Sequence, residues 1–159
     1  PLLDGESLYI LLKELDRLTI PIEVWTSGTR PWTYIQTGFI VSVVMPSAQS
    51  KKHTLVKWLS SSSPLITRKF TVSDNEDLAF TSIVVDKYRV PSESILVSPL
   101  LSDKAWILSE DGYSRLAPIR ILPHEDVEWM QQVVDFCKDN GFRFSMQMHK
   151  CIWGNKKGV

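Results

Sequence analysis

Two short segments hold the residues whose types are best suited to chemistry. Near the end of the chain, His149 and Lys150 place a titratable imidazole beside a fixed cation, and imidazole is the side chain that changes charge most readily near neutral pH. Near the start, Glu23 lies within an otherwise apolar run, residues 20–25. A buried carboxylate is costly unless it is hydrogen-bonded or paired. Glu23 therefore either contacts a ligand or is neutralised by a neighbour, and the His149–Lys150 pair is either functional or an ordinary surface pair.

Polar residues also stand near the ends of the predicted strands. Small hydroxyl residues and glycine can expose backbone N–H groups to the carboxylate or ribose of a ligand, and they are equally typical of plain connecting turns. The segments concerned are Thr26-Ser27-Gly28-Thr29, Ser47-Ala48-Gln49, Lys69, Ser98-Pro99 and Gln147-Met148-His149-Lys150.

The sequence carries no familiar pattern for a metal site or a hydrolase. His53, His124 and His149 are far apart, and no Cys-x-x-Cys or His-x-x-x-His spacing occurs. A nucleophile-elbow Gly-x-Ser-x-Gly motif and a glycine-rich phosphate loop are also missing. Cys137 and Cys151 are the only cysteines, and two such thiols are typical of free cysteines in a cytoplasmic protein.

The elements that must position these residues alternate along the chain. Apolar residues at helical spacing predict helices, and short runs rich in β-branched and aromatic types predict strands. The predicted helices cover 5–17, 54–59, 74–88 and 124–140, and the predicted strands cover 20–25, 39–45, 65–72, 95–97 and 142–148. Residues 81–85 could equally form a strand, and residues 100–122 show no clear period, which indicates a loop or irregular insertion. The strongest helix has an apolar face made of Val127, Met130, Val133, Val134 and Cys137.

Strands separated by helices indicate an α/β fold with a parallel sheet or a partial barrel, in which ligands bind at the carboxyl ends of the strands. The length of 159 residues predicts a single domain over 1–159. Eighteen basic residues balance eighteen acidic ones, so no net charge points to nucleic acid or an anionic membrane. No apolar run is long enough to span a membrane and the first residues resemble no signal peptide, so we expect a cytoplasmic protein.

Several motifs occur in a definite order along the chain. They are Pro1-Leu2-Leu3, Glu23 with Thr26-Ser27-Gly28-Thr29, the turn at 45–49, Lys69-Phe70-Thr71-Val72 before an acidic helix start at 74–78, and Ser145-Met146-Gln147-Met148-His149-Lys150 before Trp153-Gly154. In this order they resemble motifs of the 7-carboxy-7-deazaguanine synthase family, within the radical S-adenosylmethionine (SAM) superfamily. That family has Gly-Gly-Glu-Pro followed by Leu-Leu, then Glu-Thr-Asn-Gly-Thr, Ser-Pro-Lys and Lys-Phe-Val-Val. The resemblance covers nearly the whole chain.

The resemblance implies a partial (β/α) barrel of the radical SAM type, with its N-terminal strands missing from this sequence. It implies a lyase that contracts the ring of 6-carboxy-5,6,7,8-tetrahydropterin to 7-carboxy-7-deazaguanine, on the route to queuosine and related deazapurines. The implied cofactors are SAM, a 4Fe–4S iron–sulfur cluster and Mg²⁺. The cluster cysteines and the Mg²⁺ ligand belong to an upstream segment that this sequence does not contain. Cys137 and Cys151 cannot replace that triad, so we expect the chain to be inactive alone.

Carried over residue by residue, the resemblance implies a pterin site and a SAM site. The pterin substrate would be bound by Glu23, Gln147, His149, Lys150 and the carboxylate of Val159. The SAM site would be formed by Thr26, Ser27, Gly28, Ser47, Gln49 and Ser98. Expected partners are the pterin, an N-terminal half on another chain and further copies of this chain, with no nucleic acid and no membrane. The alternative is a non-catalytic binding or structural protein derived from this fold.

The sequence departs from the family pattern at two of these motifs. Val24 and Trp25 separate Glu23 from the Thr-Ser-Gly-Thr run, and the family motif has no such gap. Glu23 and Trp25 share one face of the predicted strand, so either could occupy the expected place. In the next motif, Ser47 or Gln49 stands where the family usually has lysine, which removes a charge partner for SAM.

Overall fold

The structure is a computed structural model, and its principal feature is a parallel β-sheet with helices packed against one face. It describes residues 5–19, 23–27, 40–47, 56–61, 63–101, 107–108 and 120–146. The helices are α1 (Gly5–Arg17), α2 (Val56–Leu59), α3 (Asn75–Tyr88) and α4 (His124–Asn140). The strands are β1 (Glu23–Thr26), β2 (Ile40–Val44), β3 (Ile66–Val72), β4 (Ile95–Pro99), β5 (Ile107–Leu108), β6 (Arg120–Ile121) and β7 (Arg143–Phe144). The α/β class predicted from the sequence is confirmed.

The main sheet has the order β1-β2-β3-β4-β7, and every pairing in it is parallel. Strand order therefore follows chain order, without the reversal that creates the ligand crevice of doubly wound sheets. Parallel neighbours need crossover connections, and α2, α3 and α4 lie in the connections between successive strands from β2 to β7. The sheet is thus singly wound.

The hydrophobic core lies between one face of this sheet and the helices α2, α3 and α4. In β3, buried residues alternate with half-buried ones along the whole strand, as expected when one strand face meets a core. The core side chains include Val41, Val43, Phe70, Val72, Ile95 and Val97 from the sheet, Trp58 and Leu59 from α2, Leu78 and Val84 from α3, and Val133 and Cys137 from α4. Burying one such large side chain contributes about 1.5–3 kcal/mol. We call this side of the sheet the apolar face.

The ends of α3 and α4 follow from local residue types. Asp74 caps α3, because its carboxylate accepts the backbone N–H of Asp77 at 3.0 Å. The predicted start of this helix is confirmed, and the alternative strand over 81–85 is wrong. Gly141 ends α4 in the left-handed conformation with φ of 66°, which glycine adopts without steric cost.

Three details differ from the sequence-based expectations. Residues 100–122, expected to be irregular, contain the antiparallel pair β5 and β6. Val127 was expected on the apolar face of α4 but is 47% exposed, because the neighbouring Asp126 turns inward at the start of the helix. The last strand is shorter than the predicted 142–148, since β7 ends at Phe144. Among the described helices, none is both long and apolar enough to cross a membrane.

Candidate functional site

The second face of the sheet is lined by polar side chains. Residues in register on parallel strands point to the same side, and the register of the sheet places Trp25 with Ser42, Ser42 with Thr67, and Thr71 with Ser98. We call this side the polar face, and its polar or aromatic members are Glu23, Trp25, Ser42, Thr67, Lys69, Thr71, Ser98 and Arg143. All-parallel sheets are usually apolar on both faces. A polar face on such a sheet is therefore a candidate ligand surface.

Glu23 is held by a hydrogen bond from the neighbouring strand. The Ser42 hydroxyl donates to Oε1 of Glu23, and Ser42 itself is buried. The sequence-based interpretation assumed a buried carboxylate, and this is wrong because Glu23 is exposed at the edge strand of the described sheet. Its carboxylate has further acceptor capacity. Glu23 can thus accept N–H groups from a ligand while Ser42 fixes its position.

Lys69 lies near the middle of the polar face. Its ammonium is 4.9 Å from the centroid of the Trp25 ring, a cation–π contact worth about 0.5–1 kcal/mol at exposed sites. Partial burial lowers the pKa of Lys69, and the negative charge of Glu23 opposes that shift. Trp25 remains 53% exposed. An exposed indole ring and a carboxylate from β1 therefore lie close to a cation from β3. The strands alone bring these three groups together.

Ser98 supplies an unpartnered hydroxyl near the carboxyl end of β4. It is fully buried at 0% exposure, and its Oγ has no hydrogen-bond partner within the described residues. Leaving a buried hydroxyl unpaired costs about 1–3 kcal/mol. Thr71 stands beside it in register, and the Ser145 amide donates to the Val97 carbonyl at 2.8 Å. Strand alternation then places Ser145 on the polar face next to Ser98, which gives a row of three hydroxyl residues.

The SAM residues implied by the resemblance are only partly brought together. Ser98 lies on the polar face, whereas Thr26 is in register with Val43 and faces the apolar side. Ser27 and Ser47 are exposed just beyond β1 and β2, at the carboxyl edge where ligands bind in parallel sheets. Of the remaining implied site residues, the following lie outside the described residues: Gly28, Gln49, Gln147, His149, Lys150 and Val159.

Two residues of the polar face, Ser42 and Arg143, are not among the site residues predicted from the sequence. Ser42 sits inside the apolar run of β2, and Arg143 lies within a predicted strand without a motif that marks it. The signal that could have found them is the period of two, since Thr67, Lys69 and Thr71 alternate with the core residues of β3. Register between strands, which the sequence does not encode locally, then determines which polar residues meet.

The described residues do not fit an iron–sulfur cluster. Such a cluster is held by grouped cysteine thiolates, and Cys137 is buried in α4 among core side chains. Burial raises the pKa of the Cys137 thiol to about 11, which disfavours the thiolate that a cluster needs. Within the described ranges, no group of three histidine, cysteine or acidic side chains is placed to hold a metal ion.

Chemically, the polar face can donate and accept hydrogen bonds, stack a ring and attract an anion. The donors are Lys69, Arg143 and the hydroxyl row, the acceptor is Glu23, and the ring is that of Trp25. Comparison of the chain with models of known protein families, with curated proteins and with solved structures finds no match.

Proposed function

We propose that this chain forms the SAM- and pterin-binding part of an enzyme similar to the 7-carboxy-7-deazaguanine synthases. The observation that supports it best is the polar face of a singly wound parallel sheet. A (β/α) barrel has the same sequential strand order, with helices outside and the site at the carboxyl ends of the strands. Among the residues of the motifs that resemble the family, Thr26 and Ser47 lie at or just beyond the carboxyl ends of β1 and β2, where such a site needs them, whereas Glu23 begins β1 at the amino end.

The carboxyl edge of the sheet is suited to SAM. Ser98 contributes the unpartnered hydroxyl, and Ser27 and Ser47 follow neighbouring strands at the same edge. Hydroxyl and backbone groups of this kind bind the ribose hydroxyls and the amino-acid part of a nucleoside ligand. Gly28, the residue after Ser27, and Gln49, two residues after Ser47, complete the proposed SAM set with Thr26 in a supporting position.

The pterin is assigned to the side of the face that carries Glu23. The pyrimidine edge of a pterin presents an amino group and a ring N–H, and a carboxylate accepts both as charge-assisted hydrogen bonds. Ser42 orients that carboxylate. His149, with Gln147, Lys150 and the Val159 carboxylate, is proposed to close the substrate site from the C-terminal segment.

When bound, SAM would supply an organic radical for the ring contraction after taking one electron from a reduced iron–sulfur cluster held outside this chain. The residues of this chain bind and orient the two ligands and exclude water. In that family the barrel continues through strands before the one that matches β1, and the open edge of β1 in the described sheet is where such strands would pair. The cluster and Mg²⁺ would be held there.

The second candidate is a non-catalytic binding protein derived from this fold. The turn after β2 favours it, because Ser47 or Gln49 stands at the position where the family usually has lysine. A lost cation at the SAM site weakens cofactor binding without disturbing the sheet. The two candidates therefore differ in whether SAM binds.

Calorimetric titration of the chain with SAM and with 6-carboxypterin tests the proposal. We expect both to bind with dissociation constants on the order of 1–100 μM. Ser98→Ala should weaken SAM binding about 3- to 10-fold through one lost hydrogen bond. It should leave the free energy of unfolding unchanged or higher, because an unpartnered buried hydroxyl is removed.

Ser82→Ala on α3 is the matched control, since that helix packs on the opposite side of the sheet. It should leave both affinities unchanged. Binding of neither ligand at millimolar concentration would reject the enzyme. Binding of 6-carboxypterin without SAM would favour the non-catalytic protein.

A further inference from the structure

Two basic side chains of the polar face flank one apolar residue. Lys69 on β3 and Arg143 on β7 are both in register with Leu96 on β4. Neighbouring strands lie about 4.8 Å apart, so the two backbone positions are roughly 10 Å apart. Arg143 leans across this gap, because its Nη2 donates to the Thr67 hydroxyl on β3 at 3.1 Å. The Lys69 ammonium lies on the other side of β3, beside the Trp25 ring, so a small group above β3 can contact both charged groups.

The Lys69 ammonium has N–H donors available for a ligand. Within the described part of the chain it makes no hydrogen bond and no salt bridge, and it lies against the ring of Trp25. A lysine ammonium carries three N–H donors. A half-buried ammonium without an acceptor is suited to receive one from a ligand.

The charge of the face also favours an anion. Among its described strand residues, Lys69 and Arg143 are positive and Glu23 is negative. Glu23 is already engaged by the Ser42 hydroxyl. One positive charge remains in excess, and an anionic ligand group between the two cations would balance it.

We propose that Lys69 and Arg143 bind the carboxylate of a planar aromatic ligand between their charged groups, above β3, with the exposed ring of Trp25 beside the Lys69 ammonium. This inference rests on the proposed function and deepens it, because it assigns the carboxylate of the pterin to Lys69 together with Arg143, which lies outside the motifs that resemble the family. A guanidinium binds a carboxylate through two parallel N–H bonds, and the ammonium adds a third donor. Trp25 provides flat apolar area for the attached ring.

Chemical labelling of lysine amines, followed peptide by peptide with mass spectrometry, tests the pair directly. The wild-type chain is treated with acetic anhydride in the presence of 6-carboxypterin or of pterin, which lacks the carboxylate. Saturating 6-carboxypterin should slow acetylation of Lys69 about tenfold, whereas pterin should have little effect. Lys87 on α3 serves as the internal control and should react equally under all conditions.

Arg143→Met and Arg143→Lys separate the carboxylate site from a loss of folding. Arg143→Met should raise the concentration of 6-carboxypterin needed for half-protection about 10- to 100-fold, as expected for a lost charge-assisted hydrogen bond. Arg143→Lys should recover part of this loss, because a cation is restored. Circular dichroism establishes that both variants keep the fold.

Benzoate and the neutral benzamide make the test independent of the proposed enzyme. If pterins do not bind, the proposed function fails, yet benzoate should still protect Lys69 at millimolar concentration and benzamide should not. Equal protection by the charged and neutral member of either pair would overturn the inference. So would calorimetric binding of 6-carboxypterin that leaves Lys69 labelling unchanged.

Discussion

Arg68 is a fully buried cation on the apolar face of β3. Burial lowers its pKa from the usual value, and hydrogen bonds compensate for lost solvent. Its guanidinium donates to four backbone carbonyls and one hydroxyl, those of Trp58, Leu59, Ser61, Ile66 and Ser94. The last carbonyls of a helix have no partners within it, so Arg68 satisfies the end of α2 and joins it to the sheet.

Replacing Arg68 with methionine should lower the free energy of unfolding by about 2–4 kcal/mol, because several buried carbonyls lose their donor. The free energy of unfolding of Arg68→Lys should lie between those of Arg68→Met and wild type, because lysine keeps the charge but has only three N–H donors. Arg17→Met is the control, since Arg17 pairs with Glu14 at the surface, where such pairs contribute at most about 1 kcal/mol. Urea denaturation measures the stability of all three variants. If Arg68→Met were as stable as wild type, the hydrogen bonds of the Arg68 guanidinium would contribute little to stability.

Cys137 is a buried thiol whose pKa is raised by burial from 9.0 to about 11. In the unfolded chain the thiol loses its proton near the lower pKa, whereas the folded chain retains it. The unfolded state therefore binds fewer protons between these two values, and stability falls as pH rises through them. We expect wild type to lose more stability between about pH 8 and about pH 11 than Cys137→Val does.

The same burial predicts slow thiol chemistry at Cys137. At about pH 8, roughly one molecule in a thousand would carry the thiolate. Labelling of Cys137 by a disulfide reagent should therefore proceed at the rate of unfolding, as followed by mass spectrometry. Rapid labelling of the native chain at this position would contradict the buried placement.

At the scale of elements, α3 and α4 end in the same backbone conformation with different residues. Gly141 ends α4 with φ of 66°, and Arg89 ends α3 with φ of 50°. The left-handed conformation costs a residue with a Cβ about 1–2 kcal/mol. A Cβ atom at Gly141 would come no closer than 3.8 Å to Ser92, so the backbone conformation dominates at this position.

Exchanging the two residue types should have opposite effects. Arg89→Gly should raise the free energy of unfolding by about 0.5–1 kcal/mol, and Gly141→Ala should lower it by about 1 kcal/mol. Thermal unfolding followed by circular dichroism measures both. A fall in stability in Arg89→Gly would mean that its side chain contributes contacts that outweigh the backbone cost.

These two helix ends show how far the sequence predicts the elements. The Asn140–Gly141 pair predicts the end of α4, because glycine is the residue type that this conformation favours. Arg89 carries no such signal, and only Pro91 two residues later marks the end of α3. The pair β5 and β6 was missed because two-residue strands carry too little pattern to be recognised.

At the scale of the molecule, the sequence predicts the alternating α/β class but not the composition of the polar face. Glu23 and Ser42 are 19 residues apart in sequence, and Lys69 lies on the next strand but one from Glu23. Their proximity depends on register, which is set by packing of the whole sheet against its helices. The sequence therefore indicates that Glu23 is unusual without indicating its partners.

The asymmetry of the sheet is the basis of the functional proposal. The helices α2, α3 and α4 cover the apolar face. Apart from Arg68, this face carries few polar side chains. The opposite face carries a carboxylate, two cations, an exposed indole and a row of hydroxyl groups. We therefore propose that the apolar face stabilises the fold and that the polar face binds ligands. The residues that respond to an added ligand distinguish the two faces.

Nuclear magnetic resonance titration of the isotopically labelled chain tests this central claim most directly. With SAM and 6-carboxypterin added separately, we predict that the amide signals of Thr71, Ser98 and Ser27 shift in a saturable way for SAM, and those of Glu23 and Lys69 for the pterin. Exposed positions on the helix side, such as Ile83 at 62% exposure, should not move. Saturable shifts confined to the outer surfaces of α3 and α4, or no shifts at millimolar ligand, would contradict the assignment of the polar face as the binding site.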